Sequence, residues 1–304
     1  MNDSLSADPF PIWHYADKRP EVRSLYELAK RKTWNVSQDI SWETSARPAP
    51  YPSLKTSNPL NGFDSYEILS AETKRHIAWL QHGLEISEIL HGEQAALILS
   101  SQLVSCLPTM DSRLFASAQV FDEARHVEFF ARYLREIAGE FHAPSAELKT
   151  LVKTSIGDSR WDMKFLTCQI LIESLALARF QELRQVTQIP LLRAAIDYIA
   201  KDEARHVRFG TAILKEYVNE LSSEGREQRA EFVLESMLNL GNAMNVETRI
   251  ADRMGWDKFR LRQHLRIHRL KTPDIARGRF RILARGLKEI GLLTNRMQER
   301  LTRL

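Results

Sequence analysis

Cysteine is scarce. Two stand in 304 residues, Cys106 and Cys168, each in an apolar setting, and a disulfide framework is excluded. No run reaches the roughly 18–20 apolar residues that a membrane helix requires. The opening residues, MNDSLSADPFPIW, lack the basic-then-apolar order of a secretory leader, so a reducing cytoplasmic setting is expected. No segment alternates apolar and polar residues as a half-buried strand does, and an all-α fold is expected. What is present, 43% hydrophobic and 27% charged residues, is the balance of a globular chain.

The net charge of +4 conceals an asymmetry. Residues 250–304 hold 15 Lys and Arg against 5 Asp and Glu, a net +10, leaving about −6 for residues 1–249. A basic appendage beside an acidic body suits an acidic carrier protein, a cofactor phosphate or a nucleic acid; it equally suits a solvated face of packing helices. Only Trp256, Phe259 and Phe280 interleave these cations, which argues against nucleic acid.

Three regions are expected. Residues 1–64 form an arm, with a short helix near 21–32 and a turn-rich extended segment, RPAPYPSLKTSNPLNG, at 47–62. Residues 65–220 form a four-helix bundle. Its helices run from Ser65 to about Leu107, from an Asp111 cap to Gly139, from Asp158 to Gln188, and from Pro190 to about 220. A short helix near 144–155 joins the second to the third. Residues 221–304 form a basic helical extension packed on the bundle, with helices near 224–254, 257–270, 273–289 and 293–303.

One word occurs twice. Asp-Glu-Ala-Arg-His stands at 122–126 and again at 202–206, and thirty residues before each motif Glu lies a lone Glu in apolar surroundings. A shift of 80 residues superposes Glu93 on Glu173, Glu123 on Glu203 and His126 on His206. Glu and His at i and i+3 lie about 60° apart around a helix, so both reach one axis. Glu, Glu-x-x-His, Glu and Glu-x-x-His on four helices are the di-metal carboxylate signature of the ferritin-like bundle. Four carboxylates and two imidazoles carry a formal −4 that two divalent ions neutralise. Without metals, four carboxylates in a dry interior are strongly unfavourable. The lone Glu residues are expected to bridge the two ions.

The flanking residues repeat as well: Asp122 with Arg125, Asp202 with Arg205. Each Asp is expected to hold the ligand His of the partner helix, and each Arg to neutralise an Asp. By helical phase a substrate faces Ala96, Leu97, Val127, Phe130, Ala176, Leu177 and Phe180. Gln119 and Gln169, each four before a ligand Glu, either orient a polar group or are satisfied core amides.

At these residues the chain resembles the ferritin-like di-iron oxidases and oxygenases, kin of the ribonucleotide reductase small subunit. TWNVSQDISWE at 33–43 is similar to a Trp-Asn segment of reductase-like members. The resemblance implies two iron ions, with Mn/Fe as the variant, and O2 as co-substrate. It also implies an electron donor (a ferredoxin or reductase) and a homodimer. The departures matter. The reductase's radical Tyr position is Phe130. The Val–Tyr crosslink of the ligand-binding oxidases falls on Ala96 and Cys168. The Thr of hydrocarbon hydroxylases is Leu177, and the extra His of arylamine N-oxygenases is Ile199. Rubrerythrin's CxxC pairs are missing.

The expected function is a non-haem di-iron oxygenase or oxidase that hydroxylates, N-oxygenates or desaturates a small or carrier-tethered substrate. A ferritin-like iron-binding or oxygen-scavenging protein and a tRNA-modifying di-iron hydroxylase are the alternatives.

Overall fold

Pro20 sits at the first position of α1 (Pro20–Arg31), where a missing N–H costs nothing, and the helix buries Val22, Leu25 and Ala29 on one stripe. The computed structural model describes residues 9–13, 15, 18–43, 58–243, 246–271 and 273–302. Most of the extended segment expected at 47–62 lies outside the described residues. A single turn, α2 (Asp64–Glu67), precedes α3 (Ala71–Cys106). The two are separate because Ser70 is extended and caps α3, its hydroxyl accepting from the Thr73 N–H at 3.1 Å.

Helix α4 (Met110–Tyr133) is capped by Thr109 rather than Asp111. The Thr109 hydroxyl accepts from the Ser112 N–H at 3.3 Å, while Asp111 sits in the first turn and accepts from the Arg19 N–H at 2.9 Å. A π turn (Leu134–Ala138) continues it to Gly139, whose φ of 83° suits glycine. Next come α5 (Ala146–Gly157) and α6 (Trp161–Phe165), then a π segment (Leu166–Ile172) that leads into α7 (Glu173–Val186). The helix expected over 158–188 is thus interrupted directly before Glu173. Pro190 opens α8 (Pro190–Glu220) as expected.

Beyond it lie α9 (Ser223–Ala243), α10 (Val246–Met254), α11 (Lys258–Lys271), α12 (Pro273–Glu289) and α13 (Asn295–Thr302). Residues 244 and 245, within the helix expected at 224–254, lie outside the described residues. No strand element forms among the described residues.

Helices α3 and α4 pack as one pair and α7 and α8 as another, with α1 laid across α4 and α8. This is the ferritin-like four-helix bundle. Two apolar clusters fill it. One holds Leu99, Phe115, Phe165 and Phe209; the other holds Phe129, Phe130, Phe180, Ile196 and Ile199. Each large side chain stabilises the fold by roughly 1.5–3 kcal/mol through burial. On each of the four helices the motif residues fall where one cluster gives way to the other. The basic C-terminal region joins the packing. Leu261 and Leu265 of α11 bury against Ile77, Leu80 and Leu84 of α3, while Arg260, Arg262 and Arg266 face outward.

Candidate metal centre and its cavity

Glu93, Glu123, His126, Glu173, Glu203 and His206 meet at the middle of the bundle, all at most 4% exposed. They form two overlapping groups whose donor atoms lie within 4.8 Å of one another. One comprises Glu93, Glu123, His126 and Glu203; the other comprises Glu123, Glu173, Glu203 and His206. The His126 Nδ1 lies 3.2 Å from Glu93, 3.3 Å from Glu123 and 3.1 Å from Glu203. The His206 Nδ1 lies 3.1 Å from Glu123, 3.1 Å from Glu203 and 3.6 Å from Glu173. The carboxylates common to both groups are therefore those of the repeated word, Glu123 and Glu203, whereas the lone Glu93 and Glu173 each belong to one. This differs from the expectation that the lone residues bridge. The difference arises because α4 and α8 bring their motifs face to face across the bundle axis.

The outer imidazole nitrogens cross between helices. His126 Nε2 lies 3.2 Å from Asp202 and His206 Nε2 lies 3.2 Å from Asp122. Arg125 bonds Asp122 and Arg205 bonds Asp202, each three residues away on its own helix. Each Arg also reaches across, Arg125 to Asp202 at 3.4 Å and Arg205 to Asp122 at 3.3 Å. Trp34 donates its indole N–H to Asp202 at 2.8 Å and stacks on His126. Only the TWNVSQDISWE segment signalled this contact in the sequence.

The charge balance is that of a site made for cations. Burial pushes Glu93 up to about 8, with the Glu203 charge adding to it. Burial, then the Glu123 and Glu203 charges, hold Glu173 well above the carboxylate range. Burial also opposes charge on Glu123, but the His206 charge and bonds from both imidazoles outweigh it and hold its pKa well below 4.5. The surrounding carboxylates overcome burial at His126 and His206 and raise both well above 6.5. Protons thus stand in for the missing positive charge. Two buried carboxylate oxygens, Glu123 Oε2 and Glu203 Oε1, have only the His126 Nδ1 near them, at 3.3 and 3.1 Å, and that nitrogen also faces Glu93. Buried carboxylate oxygens short of donors, beside imidazole nitrogens, fit a pair of divalent ions.

The two glutamines act on the carboxylates. Gln119 donates to Glu123 at 3.1 Å and Glu173 at 2.8 Å, and Gln169 donates to Gln119 at 2.6 Å. Cys168 lies with its Sγ 4.0 Å from the Ala96 carbonyl, so the two crosslink positions do adjoin, with no phenol to link.

A cavity of about 140 Å³ opens onto Glu93 and Glu173. Its walls are Leu84, Ile89, Leu148, Ile172, Leu175, Ala176, Leu240 and Val246, with Gly92 beside Glu93. Polar groups edge it: Glu85, Glu88, Arg179 and Arg249. Arg179 is occupied, bonding Glu85 at 2.6 Å and Glu182 at 3.0 Å. Of the residues expected to face a substrate, Ala176 lines this cavity. Ala96 packs in one apolar cluster. Phe130 and Phe180 stack on each other at 5.9 Å in the second cluster, with Val127 packed against it. Leu97 and Leu177 are half-buried away from the cavity wall. Helical phase alone does not show these walls, because α5, α9 and α10, which close the cavity, carry no motif.

A model of the family described as P-aminobenzoate N-oxygenase AurF matches residues 16–288. The chain belongs to the AurF family. It is an O2-dependent oxidoreductase of the ferritin-like di-iron carboxylate superfamily, with Ile199 still a departure from the extra His of arylamine N-oxygenases. In this AurF-family chain Ile199 is fully buried among apolar side chains, so that position offers no donor.

Solved structures share the fold. An R2-like ligand-binding oxidase with aerobically reconstituted Mn/Fe cofactor is 19% identical, covers 92% of this chain and 94% of its own, and superposes with a TM-score of 0.60. A point mutant of such an oxidase, with anaerobically reconstituted Mn/Fe cofactor, is 20% identical, with coverages of 90% and 93% and a TM-score of 0.57. No curated protein matches the chain.

Proposed function

We propose that this chain N-oxygenates a primary amine carried on a flat, ring-sized apolar body, using Glu93, Glu123, His126, Glu173, Glu203 and His206 to hold two iron ions. The observation that carries the substrate reading is the cavity over Glu93 and Glu173. An apolar cavity of roughly 150 Å³ admits one benzene ring, the size found here. Family membership supplies the reaction class, since the family model is described by its oxidation of an aromatic amine.

Two irons held there would activate O2 and supply the oxidising equivalents. The rest falls to the protein. Leu84, Ile89, Ile172 and Ala176 strip water from the amine's ring and leave its nitrogen directed at Glu93 and Glu173. Arg249 remains for a polar or anionic group at the opposite end. It is only partly engaged, bonding the Ala143 carbonyl at 2.8 Å and standing 3.9 Å from Glu88. Asp122 and Asp202 fix the imidazoles and so the positions of both ions. Electrons come from a ferredoxin or reductase, and the working form is a cytoplasmic homodimer; both rest on the superfamily resemblance. No helix among the described residues is long and apolar enough to cross a membrane.

The test is to load the protein with ferrous iron without oxygen, count the metals, and add isotopically labelled O2 with a panel of arylamines that begins with p-aminobenzoate. Two irons per chain and label on the amine nitrogen are expected. Label only on carbon would replace N-oxygenation with hydroxylation. Continuous iron uptake into a mineral would replace the enzyme with a storage protein.

A further inference from the structure

A second cavity, about 250 Å³, lies apart from the metal-facing one, between the start of α3 and the loop after the π turn of α4. Along the helices, its nearest ligand neighbours are far off. Gly83 precedes Glu93 by ten residues and Ile137 comes eleven after His126, each roughly 15 Å of helix. Its apolar walls are the Trp79 side chain, Leu80, Ile137 and Ala138; its polar groups are His76, Glu140 and His142.

His142 is the informative residue. It is 5% exposed, and its Nδ1 accepts from Arg253 Nη2 at 3.1 Å, which places the imidazole proton on Nε2. None of the described residues bonds that Nε2. It stands over Gly83, where a Cβ would come within 3.1 Å of it, so the absent side chain leaves the N–H room at the cavity wall. Burial, with Arg253 and Arg249 nearby, holds the His142 pKa below the usual 6.5 despite Glu140, so the ring stays a neutral donor. The one carboxylate in the wall, Glu140, is already engaged by Arg253 at 3.2 Å. The cavity therefore offers donors in surplus, one of them an imidazole N–H at the wall with no acceptor among the described residues, beside a flat aromatic wall. An acceptor on a ligand would give that N–H the partner it lacks.

We propose that this cavity is a second ligand site, which takes a small planar carboxylate. Its ring packs on Trp79, and its carboxylate accepts from His142 Nε2–H, the tautomer that Arg253 holds by donating to Nδ1. The volume exceeds that of the metal-facing cavity by enough for a ring plus a carboxylate. The site stands independently of the N-oxygenase reading, because it needs no metal.

The probe is benzoate, titrated calorimetrically into the full chain loaded with ferrous iron under nitrogen. Saturable binding is expected. His142→Ala and Arg253→Gln should each weaken it at least tenfold; Arg253 is half exposed, so its replacement leaves the fold intact. Trp79→Phe should retain most of the affinity. Ala176→Phe, which fills the metal-facing cavity, should leave this binding unchanged. Loss of binding in Ala176→Phe but not in Arg253→Gln would place benzoate in the other cavity and overturn the proposal. So would the absence of saturable binding, or undiminished affinity in both His142→Ala and Arg253→Gln.

Discussion

Single side chains decide the metal centre. Glu123 and Glu203 belong to both donor groups, so removing either is expected to disable both, whereas Glu93 or Glu173 belongs to one. Glu123→Ala or His206→Ala is expected to abolish stoichiometric metal loading while circular dichroism shows the helices intact; two bound metals in either variant would overturn the ligand assignment. Gly92 makes the opposite case. A Cβ there meets nothing within 4 Å, yet glycine inside a helix costs about 1 kcal/mol relative to alanine. It is unexplained by packing and lies in the cavity wall beside Glu93. Gly92→Ala should raise the melting temperature, leave metal content alone and raise KM for the amine severalfold. An unchanged KM would remove Gly92 from substrate recognition.

At the scale of elements, the π segment before Glu173 is the departure from a plain bundle. A π turn widens the helix and rotates the residues beyond it to a new phase, and such turns recur at functional sites. Here it brings Gln169 against α8 so closely that a Cβ on Gly210 would sit 2.5 Å from the Gln169 Cβ. Gly210→Ala should therefore destabilise the protein by about 1–3 kcal/mol in urea unfolding and disturb the Gln169–Gln119–Glu173 chain, with fewer metals retained. Wild-type stability and metal content would show that α7 and α8 can move apart freely. The sequence showed that a helix carries Glu173. It could not show the π segment, because the extra residue answers to the α8 surface and not to any local propensity.

For the whole molecule, the buried cluster links stability to pH and metal. Glu93, raised from 4.5 to about 8 when metal-free, contributes stability that is complete below pH 4.5 and is lost as pH rises through about 8. The raised His126 and His206 act in the same direction at higher pH, while the lowered Glu123 and Glu203 matter only in acid. Thermal melts of chelator-treated protein should fall steadily from pH 5 to about 8. Metal-loaded protein should show a much flatter profile, because cations replace the protons. Parallel profiles would mean that the cluster binds no metal.

The sequence by itself determined the helices, the six candidate ligands and the 80-residue repeat. Apolar periodicity and a Glu-x-x-His spacing are local facts, set by 3.6 residues per turn. Only the tertiary structure decided which carboxylates are common to both donor groups, which Asp meets which His, and what walls the cavity over Glu93 and Glu173. Those outcomes depend on how α4 and α8 face each other and on where α5, α9 and α10 close over α3 and α7. Nothing within one helix fixes the approach of another.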